Sequence, residues 1–114
     1  MPRTSVYPEV TDDLLAEVVR RILAAGGADK IVLFGSRARG DARADSDLDL
    51  LIIEESTLPA YRRCSKYYLA LAEVFPSKDI LVYTPAEVEQ WAGVPNAMPT
   101  TALREGRVLY VRAR

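Results

Sequence analysis

Two aspartates spaced two residues apart, Asp47 and Asp49, follow a Gly-Ser pair, Gly35 and Ser36, with ten residues between Ser36 and Asp47. On an extended strand the side chains at i and i+2 face the same way, so the two carboxylates project together. Two anions placed like this repel unless a cation joins them. A hard divalent ion such as Mg2+ takes oxygens from one or two carboxylates and fills its shell with water and substrate phosphates, so the pair is suited to presenting a Mg-nucleotide. Just upstream, Gly35 lets the backbone turn sharply and approach a ligand. Ser36 reads as the start of a short helix, where free backbone N–H groups favour phosphate. Arg37 and Arg39 lie in the same turn and carry guanidinium forks that match the oxygens of a leaving pyrophosphate. The alternative for both, and for Arg43, is a solvated charge balancing Asp41 and Asp45.

The composition narrows the chemistry further. The chain has no histidine, which removes Ser-His-Asp and Cys-His nucleophilic systems, HExxH metal sites and histidine acid catalysis together. Carboxylates and a metal are what remain. Cys64 is the only cysteine, so an internal disulfide and a cysteine-rich zinc site are excluded and a reducing, cytoplasmic setting is expected. The net charge of −1 argues against holding long nucleic acid on a broad basic surface. Residues 1–10 show no apolar leader region, and no stretch has the length needed to cross a bilayer, so no membrane association is expected.

These residues must be positioned by a small scaffold. At 114 residues, 49% of them hydrophobic, the chain is expected to form one domain over 1–114 with its own core. Thr11 can cap a helix opened by Asp12 and Asp13, with Val10 and Leu15 as a staple. Leu14, Leu15, Val18, Val19, Ile22 and Leu23 recur at helical spacing until Gly26 and Gly27 stop it. Lys30 to Phe34 reads as a buried strand, and Leu48 to Ile53 as a second whose one internal charge is Asp49. Pro59 begins a helix that is expected to bury a stripe of Tyr61, Cys64, Tyr68, Leu71 and Phe75 before Pro76 ends it. Asp79 to Tyr83 is a third strand, Pro85 opens a short helix through Trp91, a helical turn follows near Thr101 to Glu105, and Arg107 to Val111 is the last strand. The order predicts an α/β (α+β) fold, a small mixed sheet flanked by helices, with the cleft at the end of the D-x-D strand.

The segment GSRARGDARADSDLDLLII, Gly35 to Ile53, resembles the signature of the DNA polymerase beta-like nucleotidyltransferase superfamily, most closely its minimal nucleotidyltransferase (MNT) branch. Gly40 and Ser46 match the second glycine and the serine before D-x-D in that pattern. The family's third carboxylate lies on a neighbouring strand, and Asp79 in KDILVY is its candidate here, although Lys78 stands before it where the pattern has an apolar residue.

The resemblance implies a two-metal transfer of a nucleoside monophosphate from an NTP to a hydroxyl, with release of pyrophosphate. Asp47 and Asp49 would bridge two Mg2+ ions, Asp79 would bind the catalytic ion and assist deprotonation of the acceptor, and Gly35, Ser36, Arg37, Arg39 and Ser46 would hold the nucleotide. Larger relatives add a helical domain that binds the acceptor, for which this length leaves no room. A protein acceptor, or a partner chain that completes the site, is therefore expected. Free-standing MNT proteins are often antitoxins that inactivate a HEPN ribonuclease toxin by transferring AMP from ATP to a tyrosine, and that role is the leading expectation. The alternatives are an idle antitoxin or scaffold that acts by occlusion, and an adenylyltransferase of a small hydroxyl compound. A homo-oligomer is compatible with either class.

Overall fold

The periodicity that follows Thr11 does produce a helix. Helix α1 spans Asp12–Ala25, and the Thr11 hydroxyl accepts the Leu14 N–H at 3.1 Å. Asp12 and Asp13 lie at the positive end of its dipole. Its buried stripe is Leu15, Val18 and Ile22, with Val10, Leu14 and Val19 packed at the margin and Leu23 left exposed. Val18 and Ile22 are fully enclosed, and burial of this kind stabilises by about 1.5–3 kcal/mol per side chain. The computed structural model describes residues 9–113. Most of segment 1–10, expected to lack a leader, lies outside them. No helix among the described residues is long and apolar enough to cross a membrane.

Four strands form one mixed sheet, β1 at Lys30–Phe34, β2 at Leu48–Ile53, β3 at Lys78–Tyr83 and β4 at Arg107–Val111, in the order β3-β2-β1-β4. Strand β1 runs antiparallel to both β2 and β4, while β2 and β3 are parallel. The other helices are α2 at Ser36–Arg39, α3 at Ala60–Arg63, α4 at Ser65–Ala70, α5 at Pro85–Trp91 and α6 at Met98–Glu105. This is the mixed α/β arrangement expected from the order of elements.

The sheet has two unequal faces. Leu48, Leu50 and Ile52 alternate along β2 into the main core, which α1 and the α4 region cover through Val18, Ile22, Tyr67 and Leu71. Leu51 and Val32 point the other way and meet Ala102 of α6, with Phe34, Leu81, Tyr83 and Leu103 around them. Asp49 lies between Leu48 and Leu50 and so shares the face of Leu51. The only charge inside β2 therefore projects toward the side that α6 covers.

The helix after Pro59 departs from expectation. It breaks at Cys64 into α3 and α4 and ends at Ala70, well before Pro76. The buried residues on and just after it are Tyr67, Leu71 and Val74, with Cys64 half-buried, while Tyr61, Tyr68 and Phe75 are exposed. The reason is a polar anchor. Glu54, buried just past the end of β2, accepts from the Tyr67 hydroxyl and from the Lys66 ammonium, each at 2.8 Å. Burial and the adjacent Glu54 carboxylate push the Tyr67 hydroxyl far above its usual pKa, which keeps it a donor. Turning Tyr67 inward rotates the core stripe away from Tyr61, Tyr68 and Phe75. Tyr68 takes a different part, since its hydroxyl accepts the Ile80 N–H at 2.9 Å and so caps the outer edge of β3.

Strand β3 is also held from behind. The Arg63 guanidinium donates to Glu87 at 2.6 Å, to the Leu58 carbonyl at 2.9 Å and to the Val82 carbonyl at 3.4 Å, joining α3, β3 and α5. Glu87 completes a capping box with Thr84 at the start of α5. The Arg63 bond, then the Thr84 backbone N–H, hold the Glu87 carboxyl below the usual glutamate range. A carboxyl lowered on folding contributes stability that is complete above its unfolded pKa and is lost as pH falls through the folded one. Glu87→Gln is accordingly expected to cost about 1 kcal/mol at neutral pH, and the loss should vanish in urea titrations at acid pH. An equal loss at neutral and acid pH would sink this account.

Candidate active site

Three neighbouring strands deliver the site by register alone. Asp49 on β2 stands opposite Phe34, the last residue of β1, and opposite Asp79 on the parallel strand β3. Gly35 and Ser36 leave β1 immediately after Phe34, so the Gly-Ser turn comes down beside Asp49. Gly35 has φ +73 and ψ −156, and a Cβ built on it would overlap the Asp49 carboxylate, with the Asp49 Cγ at 3.1 Å. Only glycine tolerates both that backbone and that neighbour. Asp47, two residues before Asp49, shares its face at the mouth of β2.

The electrostatics agree with the geometry. Burial raises the pKa of the Asp49 carboxyl, the negative charges of Asp79 and Asp47 raise it further, and Arg39 opposes them. Asp49 thus feels both other aspartates as near anions. The donor set is all oxygen, the kind that suits a hard divalent cation, and a cation there relieves the repulsion that raises Asp49. Among the described residues no group of three or more His, Cys, Asp or Glu is already gathered into a metal cage. The all-oxygen chemistry of the three aspartates is of the kind that suits an ion sharing its shell with substrate phosphates, as Mg2+ commonly does.

A cleft of about 360 Å³ opens at this point, lined by Phe34, Gly35, Ser36, Arg39 and Asp49 on one side and by Met98, Thr101, Ala102 and Glu105 on the other. The second wall is α6. Sequence reading missed it because α6 carries no motif and reaches the site only by packing Ala102 on Val32 and Leu51. Gly106 permits that approach, since a Cβ there would press on Val32 and on the backbone carbonyl oxygens of Ala102 and Leu33. The apolar small residue Ala102 followed by a glycine four positions later was the available signal.

The remaining residues singled out by spacing divide into two groups. Ser36 and Arg39 line the cleft, and Arg39 also pairs with Asp41 at 3.3 Å on the surface. Arg37 and Ser46 are not among the lining residues. The Arg37 Nη2 donates to the carbonyls of Ala44 and Ser46, and the Ser46 hydroxyl accepts the Arg43 N–H. Asp47 and Asp79 are exposed at the strand ends.

A sheet of this order, with a Gly-Ser turn packed against the D-x-D strand along one wall of a cleft, is the arrangement of a nucleotide-transferring class of domain. The nucleotidyltransferase domain family matches residues 13–109, and the chain belongs to that family. No curated protein matches it. Among solved structures it is similar to a Sulfolobus solfataricus protein described as a nucleotidyltransferase, with TM-score 0.62 and 19% identity over 88% of this chain and 79% of that one. It is also similar to a toxin–antitoxin structure containing AMP-PNP, with TM-score 0.59 and 16% identity over 86% of this chain and 73% of that one. A Tyr→Ala variant of the MntA–HpeT toxin–antitoxin gives TM-score 0.54 and 16% identity over 91% and 75%. Likeness at these identities concerns the fold.

Proposed function

We propose that this chain transfers a nucleoside monophosphate, AMP from ATP, to a hydroxyl on a protein partner, and that the acceptor is a tyrosine of a HEPN-type toxin for which it is the antitoxin. The observation that supports the transferase reading is the register that aligns Phe34, Asp49 and Asp79 across three strands, with Gly35 against the Asp49 carboxylate where both line the cleft. The antitoxin reading draws on likeness in fold to toxin–antitoxin structures, one of them with AMP-PNP.

Asp47, Asp49 and Asp79 are the residues that would hold Mg2+, two ions in the fullest arrangement. When bound, the metal polarises the α-phosphate and lowers the pKa of the attacking hydroxyl. The Gly35–Ser36 turn lets the triphosphate approach the backbone closely. Arg39 faces the cleft and neutralises charge on the departing pyrophosphate. Asp79, on the exposed edge strand, takes the proton of the incoming hydroxyl. Asp79 itself is exposed at the start of β3, before the Ile80 N–H that Tyr68 caps, so an incoming acceptor can reach its carboxylate.

Incubation of the purified protein with Mg2+, each α-labelled NTP and lysate of its source, beside Asp47→Asn, tests the reading. ATP should label one protein band, and the variant should lose it. No label from any nucleotide would overturn the transferase reading. If Asp47→Asn still neutralised the partner in full, occlusion would replace transfer as the antitoxin mechanism, and label on a small hydroxyl compound alone would replace the protein acceptor.

A further inference from the structure

The loop that carries the chain from Ser36 to Asp47 has little apolar material to hold it. Asp41, Arg43, Ala44 and Asp45 are all exposed, so its shape rests on hydrogen bonds. Those bonds converge on one side chain. The Arg37 Nη2 donates to the Ala44 carbonyl at 3.2 Å and to the Ser46 carbonyl at 2.9 Å. Ser46 closes back on Arg43 from both ends, its hydroxyl accepting the Arg43 N–H at 2.8 Å and its own N–H donating to the Arg43 carbonyl at 3.1 Å. The Arg37 Nε is buried without a hydrogen-bond partner among the described residues. A buried donor left unpaired costs about 1–3 kcal/mol, which an arginine extended into water would avoid. Arg37 is thus drawn inward for the two carbonyls it does reach, and it does not line the cleft.

We propose that Arg37 is a positioning residue for nucleotidyl transfer, whose guanidinium fixes the Ala44 and Ser46 carbonyls and so sets where the Asp47 carboxylate stands relative to Ser36 and Asp49. The Ser46 carbonyl belongs to the peptide plane that leads directly into Asp47, and a peptide plane moves as a unit. Holding its oxygen therefore orients the Cα of Asp47. The catalytic half of this proposal rests on the transferase reading above. It differs from the phosphate contact suggested by sequence, because the two roles act on different kinetic constants.

Arg37→Met, which keeps the stem and removes every donor, and Arg37→Lys, which keeps one charged donor centre, separate the roles. Hydrogen exchange at the Arg43 and Ser46 amides reads the clasp without reference to activity. Arg37→Met should speed exchange there by about 10-fold or more while leaving the amides of Val18 and Ile52 in the core unchanged. In transfer assays its kcat should fall about 10- to 100-fold, with the KM for nucleotide moving less than about 3-fold and the Mg2+ level for half-maximal rate rising. Arg37→Lys should lie between Arg37→Met and the wild type, since its ammonium keeps a charged donor but falls short of the Nη2 position from which both carbonyls are reached. A raised KM for nucleotide with kcat preserved would show a phosphate contact and overturn the proposal. Unchanged exchange at Arg43 and Ser46 would overturn it too. A wild-type protein that transfers nothing would remove the transferase reading and the catalytic half with it, and the exchange result alone would then decide whether Arg37 holds the loop.

Discussion

Replacing Asp49 with asparagine is expected to abolish nucleotidyl transfer while leaving the metal-free protein at least as stable as the wild type. On the proposed transferase reading, losing a carboxylate that would hold the ion removes several kcal/mol of transition-state stabilisation, equivalent to a rate decrease of about 10³-fold or more. The stability half follows from the sign of the Asp49 shift. Burial first, then Asp79 and Asp47, raise its pKa on folding. A carboxyl raised on folding binds its proton more tightly in the folded state, so its ionisation at neutral pH costs stability, and that cost is relieved as pH falls through the folded value. Asparagine removes the charge at every pH. Mg2+ should then separate the two proteins, since a ligand that binds only the folded state adds about 2.7 kcal/mol at 100 times its Kd. Thermal melts with and without Mg2+, beside transfer assays, check both halves. A variant that keeps full transfer, or one less stable than wild type without metal and stabilised equally by it, would contradict this account of the site.

The parts of this site that were legible in sequence are those set by neighbours along the chain. Gly35, Ser36, Asp47 and Asp49 could be read because strand periodicity and turn chemistry are local, and the caps at Thr11 and Gly26 and the N1 proline Pro85 bounded their helices for the same reason. Asp79 was legible only through resemblance, yet it falls in register with Asp49 because β2 and β3 are parallel, a pairing that nothing in the KDILVY segment specifies. What stayed hidden depends on contacts between distant residues. Tyr67 turns inward because Glu54 waits at the end of β2, and an apolar-stripe count weighs a tyrosine by its ring and overlooks the hydroxyl that needs a partner. The wall formed by Met98, Thr101 and Glu105 exists because Gly106 lets α6 settle on β1. Arg37 was legible as a cation near phosphate-binding residues, but its target is a pair of backbone carbonyls, groups every residue carries and no sequence pattern marks.

The second large effect is expected at Gly35. Its φ of +73 and ψ of −156 lie in a region that residues with a Cβ enter only at a cost of about 1–3 kcal/mol. Gly35→Ala incurs that strain and also drives its methyl into the Asp49 carboxylate. Two costs of different origin are therefore combined in one substitution, and a double-mutant cycle can separate them. In an Asp49→Ala background the methyl has no carboxylate to displace, so only the backbone strain remains. The coupling energy between the two positions should then be about 0.5–3 kcal/mol, with Gly35→Ala costing less in that background than in the wild type. Transfer by Gly35→Ala alone should fall about 100-fold, because Asp49 moves off its position by roughly the width of the overlap. Urea denaturation of the four proteins gives the coupling directly. Additive costs would mean that the Gly-Ser turn and the Asp49 carboxylate are placed independently, and the close approach of Gly35 to Asp49 would then have no part in shaping the site.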